Sequence, residues 1–524
     1  MKKTFAIYCL FFLVSFIVQG QNQAPVISNL SATPNWVNHS LEVTFDVADN
    51  ENDPLEITLQ FSDNSGKTYT LTSQIPTMGD VGFPIQPGSR SIHCDLSAIS
   101  NIAAPFSLRL VADDKQTFDI QSLVNGVDSN RMRANLEFVE GIRHRTAGSV
   151  HLNATRDSIK NLFLNAGLQY EEQAVPLGNY TGKNLIGNLL GTSSAQKVVI
   201  NDAHYDSVSN APGADDNGSG TVGMMEAVRI LSPYPSKKTL RFIGFDLEEA
   251  GLVGSIRYVS NGIPAGDQIE GVFNHEMIGY WSNEPNTQTL PPGFPILFPD
   301  ASAEVVANQY RGDFITNVGN ATSISLAQLF SNAAQQYVPG LKVITLNVPG
   351  DGSIAPDLQR SDHAPFWAAG KKALMLTDGA NFRNLCYHTP GDTLNEKLNF
   401  TFMSNVVKAS IAAMAELAEI QHGDWATATF QSNVGVFPSR PLCDLYAYQQ
   451  PGQDEGFVLE VKSCAFSEVV IELYDMKGSL LLQQDAMLPD AGAYTILTPN
   501  LPEGVYVLKI RHADGIQAQK IMLR

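Results

Sequence analysis

Lys197-Val198-Val199-Ile200-Asn201-Asp202-Ala203-His204 and Leu240-Arg241-Phe242-Ile243-Gly244-Phe245-Asp246 are two short apolar runs, and between them Gly220 to Leu231 carries apolar residues at helical spacing. Runs of this length fit strands buried on both faces, and the intervening period fits an amphipathic helix. Strand, helix, strand in that order predicts a mostly parallel sheet covered by helices on both faces. Such sheets bind ligands outside the carboxyl ends of their strands. Each run ends on a group that ligates or titrates: His204 closes the first and Asp246 the second.

The same alternation of strands and helices extends over residues 124–422. Ahead of it, residues 24–120 hold short alternating runs such as Leu41-Glu42-Val43-Thr44-Phe45-Asp46-Val47, broken by turn clusters such as Asp49-Asn50-Glu51-Asn52-Asp53-Pro54. Period-two alternation with frequent turns predicts an antiparallel β-sandwich similar to an immunoglobulin or fibronectin type III module. Leu108-Arg109-Leu110-Val111-Ala112-Asp113-Asp114 reads as its closing strand. Alternation returns in Val469-Val470-Ile471-Glu472-Leu473-Tyr474, which predicts a small β-sandwich over 432–524. The expected architecture is multidomain: a central α/β/α unit with a mostly parallel mixed sheet, flanked by an Ig/fibronectin-like sandwich and a smaller one. A chain of 524 residues accommodates this at roughly 150 residues per domain.

Hydrophobic residues make up 44% of the chain and charged residues 17%, the range of an ordinary globular protein, which argues against disorder and collagen-like repeats. A net charge of -19 argues against nucleic acid or an anionic membrane as partner, since phosphates repel it. Lys2 and Lys3, the apolar run Phe5 to Val18 and the small residue Gly20 predict a secretory signal peptide at 1–20. No other stretch approaches the length of a bilayer span, so no transmembrane segment is expected in the mature chain. Export leaves Cys94, Cys386, Cys443 and Cys464, with no C-x-x-C pair to hold zinc. Cys443 and Cys464 could pair in an oxidising compartment.

The middle unit concentrates its carboxylates and imidazoles in a few places. His204 and Asp206 are two residues apart, so in an extended chain both project to one side, and such a carboxylate can take the second ring proton of a metal-bound imidazole. Alone, His-x-Asp is an ordinary surface or core pair. Asp215 and Asp216 lie in the glycine-rich turn Pro212-Gly213-Ala214-Asp215-Asp216-Asn217-Gly218-Ser219-Gly220. Adjacent carboxylates repel unless a cation or donors hold them, although a solvated turn with a helix cap explains this fragment equally well. Glu248 and Glu249 follow a buried strand, where one can bind metal while the other serves as base; two charged residues on an exposed first helical turn would look the same. Glu276 ends the run Phe273-Asn274-His275-Glu276, and His388 lies in Cys386-Tyr387-His388-Thr389-Pro390-Gly391-Asp392-Thr393. Each fragment has a bland explanation, and their company weakens all of those explanations together.

Taken in order, His204-Tyr205-Asp206-Ser207, Gly213-Ala214-Asp215-Asp216-Asn217-Gly218-Ser219-Gly220, Glu248-Glu249-Ala250-Gly251, Glu276-Met277-Ile278-Gly279-Tyr280, Ser361-Asp362-His363-Ala364-Pro365-Phe366 and Tyr387-His388-Thr389-Pro390 strongly resemble the M28 family of zinc metallopeptidases. The resemblance implies a zinc exopeptidase fold, two zinc ions, and removal of residues from the amino ends of peptides or proteins. It implies that His204 and Glu276 hold one zinc, Glu249 and His388 the other, and Asp216 both. It further implies that Asp206 orients His204, that Glu248 is the general base, and that a cis peptide follows Asp216 at Asn217. His363 lines the pocket without being a ligand, and His144 and His275 are structural. Glu276 stands where the family usually has Asp, and its extra methylene changes the reach of the carboxylate and bears on occupancy of that site. Zinc accepts either side chain.

Asn500-Leu501-Pro502-Glu503-Gly504-Val505-Tyr506-Val507-Leu508-Lys509-Ile510, with Lys520-Ile521-Met522-Leu523-Arg524, resembles the carboxy-terminal sorting domain of the bacterial type IX secretion system; Val436-Phe437-Pro438-Ser439 stands where Tyr-Pro-Asn-Pro is usual. That implies export through the periplasm, the type IX machinery as partner, and a secreted or cell-surface location. Alternative readings are a single-zinc glutaminyl cyclase, a carboxypeptidase or dipeptidase of the same family, and an inactive surface-binding homologue. The complete ligand set, the retained Glu248, and Ser361 where a cyclase tends to have Asp favour the aminopeptidase.

Overall fold

The computed structural model describes residues 22–99, 105–430, 443–448, 457–464, 468–475, 479–488, 492–497, 501–502, 504–512 and 515–523. The expected signal peptide and residues 436–439 lie outside these.

An eight-stranded mixed sheet occupies the centre, in the order Lys342–Val348, Phe314–Asn320, Ala373–Thr377, Gln268–His275, Ser194–His204, Lys238–Phe245, Tyr180–Leu189, Gln169–Leu177. Ser194–His204 runs parallel to both of its neighbours, and Gln268–His275 runs parallel to Ala373–Thr377. Four parallel strands therefore deliver their carboxyl ends to one edge. Antiparallel pairing enters where Tyr180–Leu189 meets Lys238–Phe245 and where Phe314–Asn320 meets Ala373–Thr377.

Strand alternation splits the apolar side chains between two cores. Val199 and Ala203 join one with helices Gly220–Leu231, Ile324–Tyr337 and Phe400–Ala418; Val198 and Ile200 join the other with Tyr258 and Phe366. Burial on both faces is why these strands read as continuous apolar runs. Each fully buried Val, Leu, Ile or Phe is worth about 1.5–3 kcal/mol relative to exposure, which fixes the register strongly.

Seven amino-terminal strands and one later strand form two four-stranded sheets around a separate core that includes Leu41, Val43, Phe45, Leu59, Phe61 and Leu110. Leu108–Asp113 is not the closing strand that its sequence suggests. Phe106–Asp113 sits between Leu55–Ser62 and Gly423–Phe430, the latter pairing antiparallel from Gly423 opposite Asp113 to Phe430 opposite Phe106. The chain thus returns after the central sheet to complete the first sandwich. Phe430 seals the contact by stacking on Phe106, ring centroids 5.2 Å apart.

A polar seam joins this sandwich to the central unit. The buried Arg109 donates to Gln60 Oε1 and to the carbonyls of Leu190 and Gly191, while Gln60 donates to the carbonyl of Thr192. Gln421 bridges Asp113 and Thr192, and His422 Nδ1 lies 2.6 Å from Asp114 Oδ2.

The last described residues form a three-stranded and a four-stranded antiparallel sheet sharing one core. Their register sets Cys443 opposite Cys464. Among the described residues no helix is long and apolar enough to cross a membrane.

Candidate metal centre

The site is assembled from strand ends. His204 is the last residue of its strand, Glu248 and Glu249 follow Lys238–Phe245, and Glu276 follows Gln268–His275. Asp216 comes from the turn before helix Gly220–Leu231, and His388 from the loop after Ala373–Thr377. Three non-glycine residues at the site have left-handed backbone: Leu247, Met277 and His388, with φ of 59°, 53° and 57°. Such strain is held by surrounding structure and gathers at functional sites.

Two groups of potential ligand atoms result, each within 4.8 Å: His204, Asp216 and Glu276, and Asp216, Glu249 and His388. Asp216 belongs to both. His204 Nε2 lies 3.4 Å from Asp216 Oδ1 and 3.3 Å from Glu276 Oε2; His388 Nε2 lies 3.0 Å from Asp216 Oδ2 and 3.1 Å from Glu249 Oε2. All five residues expected to be ligands are thus brought together.

The donor chemistry fits a divalent cation. Imidazole nitrogens with carboxylate oxygens are a zinc set, without thiolates. Among the described residues, His388 Nε2 and Glu249 Oε1 are buried with no hydrogen bond of regular geometry, although two carboxylate oxygens lie within 3.1 Å of that nitrogen. The field is strongly negative. Burial opposes charge on His204, yet Glu248 and Glu276 hold its imidazole well above the ordinary range; burial likewise opposes charge on His388, which the neighbouring Asp216 and Glu249 push up to about 10.

Asp206 ties the site together. Its Oδ1 lies 3.5 Å from His204 Nδ1, on the ring edge away from the ligand group, and its two oxygens accept the backbone N–H groups of Glu248 and Glu249 at 3.1 and 3.3 Å. The Asp206 main-chain carbonyl lies 3.3 Å from the same ring nitrogen, so Asp206 faces the imidazole with carbonyl and carboxylate while its carboxylate holds the glutamate pair. Glu248 belongs to neither ligand group; its Oε2 stands 3.8 Å from His204 Nε2. Burial, with the nearby acids Glu276 and Asp362, raises its affinity for a proton.

The peptide between Asp216 and Asn217 is cis. Asn217 holds the turn by donating to the carbonyl of His275 and accepting from the N–H groups of Gly220 and Met277. Asp392 accepts the N–H groups of Asp215 and Asp216 at 3.0 Å each. Nothing in the sequence marks this role, because only folding brings the stretch after His388 against the turn. Ser361 donates to Glu276, and the Tyr387 ring stacks on His388 with centroids 3.8 Å apart while its hydroxyl accepts from Arg360.

The remaining histidines of the central unit stand outside both groups. His363 Nε2 meets the carbonyl of Leu358, His275 Nε2 meets Ser410 Oγ, and His144 Nδ1 caps Thr146.

A mixed α/β sheet whose strand ends gather two carboxylate–imidazole groups around one shared aspartate has the arrangement of a metal-dependent enzyme. Residues 184–414 match the profile of Peptidase family M28, and residues 451–524 match that of a Secretion system C-terminal sorting domain. The chain is 31% identical over 314 residues to the uncharacterized protein YfbL of Escherichia coli (strain K12), covering 56% of this chain and 92% of that one. It is 30% identical over 378 residues to leupeptin-inactivating enzyme 1 of Streptomyces exfoliatus, covering 67% and 74%. A shorter match, 48% over 84 residues, covering 16% of this chain and 18% of the relative, is to aminopeptidase YwaD of Bacillus subtilis (strain 168). The chain belongs to peptidase family M28.

Proposed function

We propose that this chain is an exported zinc aminopeptidase that holds two zinc ions, uses Glu248 as general base, and prefers substrates with a large apolar amino-terminal side chain. The observation that carries the reading is the pair of ligand groups sharing Asp216, with Glu248 beside them and in neither. His204, Asp216 and Glu276 would hold one ion, and Asp216, Glu249 and His388 the other. Bound there, zinc supplies Lewis acidity toward the substrate carbonyl and lowers the pKa of water.

Glu248 takes a proton from the attacking water and returns it to the departing amine. Its burial favours taking up the proton by raising its proton affinity well above a solvated glutamate's. Asp206 keeps His204 in the tautomer that presents Nε2 as donor. Asp206, Asp216, Glu248, Glu249 and Glu276 crowd carboxyl groups around one place, a surrounding that suits the free ammonium of a peptide amino terminus.

A cavity lined by Leu290, Phe294, Val305, Phe314, Leu346 and Met375 is also bordered by Glu276 and Tyr387. Its apolar wall beside the ligand groups supports the side-chain preference. One of these relatives carries the name aminopeptidase, and the match over 451–524 supports delivery through type IX secretion to the medium or cell surface. The amino-terminal sandwich belongs in this reading to the immunoglobulin or fibronectin type.

The test compares free and amino-acetylated Leu, Phe, Ala, Glu and Lys nitroanilides. Cleavage of free Leu and Phe substrates, with acetylated ones refused, is expected. Cyclisation of amino-terminal glutamine without peptide hydrolysis would move the assignment to a glutaminyl cyclase.

A further inference from the structure

Arg143 is a fully buried arginine that, among the described residues, makes no hydrogen bond to a carboxylate. Its guanidinium donates only to main-chain carbonyls: Nε to Tyr205 at 2.7 Å, Nη1 to Val139, Gly141 and Pro212 at 2.8, 3.0 and 2.8 Å, and Nη2 to Gly213 at 2.8 Å. A buried cation costs several kcal/mol unless polar partners surround it, so this arrangement needs a reason.

The acceptors supply one. Tyr205 separates His204 from Asp206, and Pro212-Gly213 leads three residues later into Asp216. One rigid side chain therefore spans the strand end that carries the imidazole and the turn that carries the shared carboxylate. The backbone repeats the link: Arg143 N–H donates to Ser207 Oγ at 2.9 Å, the Arg143 carbonyl accepts from the Ser207 N–H at 3.1 Å, and Gly141 N–H donates to the Pro212 carbonyl at 2.9 Å. The fit is close on the far side as well. Gly213 has φ of +64°, and a Cβ there would meet Arg143 Nη2 at 2.8 Å and the Asp216 carbonyl oxygen at 2.3 Å.

We infer that Arg143 is a positioning residue of the metal centre, setting the separation between His204 and Asp216 through the carbonyls of Tyr205, Pro212 and Gly213. Arginine suits the task because its planar fork directs five N–H groups in fixed directions, whereas lysine offers three from one atom. The inference rests on the metal-centre reading above.

The experiment measures zinc dissociation constants by chelator competition, with visible spectra of the cobalt-substituted protein, for wild type, Arg143→Met, Arg143→Lys and Ser207→Ala. Circular dichroism verifies folding. If wild type binds no zinc, the metal-centre reading itself fails. With wild type binding, both Arg143 variants are expected to bind about 10- to 100-fold more weakly, as losses around metal ligands do, with altered cobalt bands. Wild-type affinity in Arg143→Lys would show that charge alone suffices and overturn the inference. So would a fall in melting temperature with affinity and spectrum unchanged. If neither Arg143 variant folds, Ser207→Ala decides: it removes the acceptor of the Arg143 main-chain N–H, which anchors the arginine beside the strand end it clamps, and is expected to lower affinity by roughly 3- to 10-fold, and unchanged binding would overturn the role.

Discussion

Ser361 Oγ donates to Glu276 Oε2 at 2.7 Å, and that same oxygen lies 3.3 Å from His204 Nε2. Glutamate has one more torsion than the aspartate usual at this position, and the serine restrains the oxygen that faces the imidazole. Ser361→Ala should weaken zinc binding at the His204–Asp216–Glu276 group by about tenfold and leave the other group little changed. A two-phase chelator titration reads both sites, and identical curves for variant and wild type would remove Ser361 from the account.

Asp392 bears on the shared ligand. Its two oxygens fix the N–H groups of Asp215 and Asp216, so Asp392→Ala should lower affinity at both groups by about 10- to 100-fold, while Asp392→Asn, with one acceptor left, should fall between. Loss confined to one group would contradict this.

His363 gives a pH signature. Burial pushes its imidazole from 6.5 down to about 4. Its ring is held edge-on to Trp367 with centroids 4.5 Å apart. The unfolded chain therefore takes up the proton first as pH falls. The contribution of the neutral ring to stability is complete above about 6.5 and is lost progressively toward about 4, by roughly 3 kcal/mol in total. Urea denaturation of wild type and His363→Gln, both in chelator, should show a stability difference that changes by this amount across the window. A pH-independent difference would exclude the effect.

The seam at Arg109 makes a prediction about stability alone. Arg109→Ala strips donors from Gln60 and from the carbonyls of Leu190 and Gly191 in a buried junction. At about 1–3 kcal/mol for each unpaired group, a loss of roughly 3 kcal/mol is expected in denaturant, with zinc affinity unchanged. A loss under about 0.5 kcal/mol would mean that water satisfies the seam.

The parts of this structure legible in the sequence are those set by local periodicity. Gly220–Leu231 is a helix within the bounds its apolar spacing indicates, and the run ending at His204 is a strand buried on both faces. His204, Asp216, Glu249, Glu276 and His388 came as a set only through the resemblance of the ordered motifs to a known family, and the structure places their side chains together. What stayed hidden depends on contacts between distant segments. Period-two alternation marks Phe106–Asp113 as a strand but carries no information that Gly423–Phe430 closes its sheet. Asp392 and Ser361 act through hydrogen bonds spanning 176 and 85 residues, and Arg143 through carbonyls, which every residue possesses and no sequence pattern marks.

The central claim is two zinc ions served by a base that binds neither, and the direct measurement is zinc content and turnover of leucine nitroanilide in the same samples of wild type and Glu248→Gln. About two zinc ions per chain are expected in both, with turnover about a hundred- to ten-thousand-fold lower in the variant. Wild-type turnover in a fully loaded Glu248→Gln, or loss of one zinc with the glutamate, would contradict it.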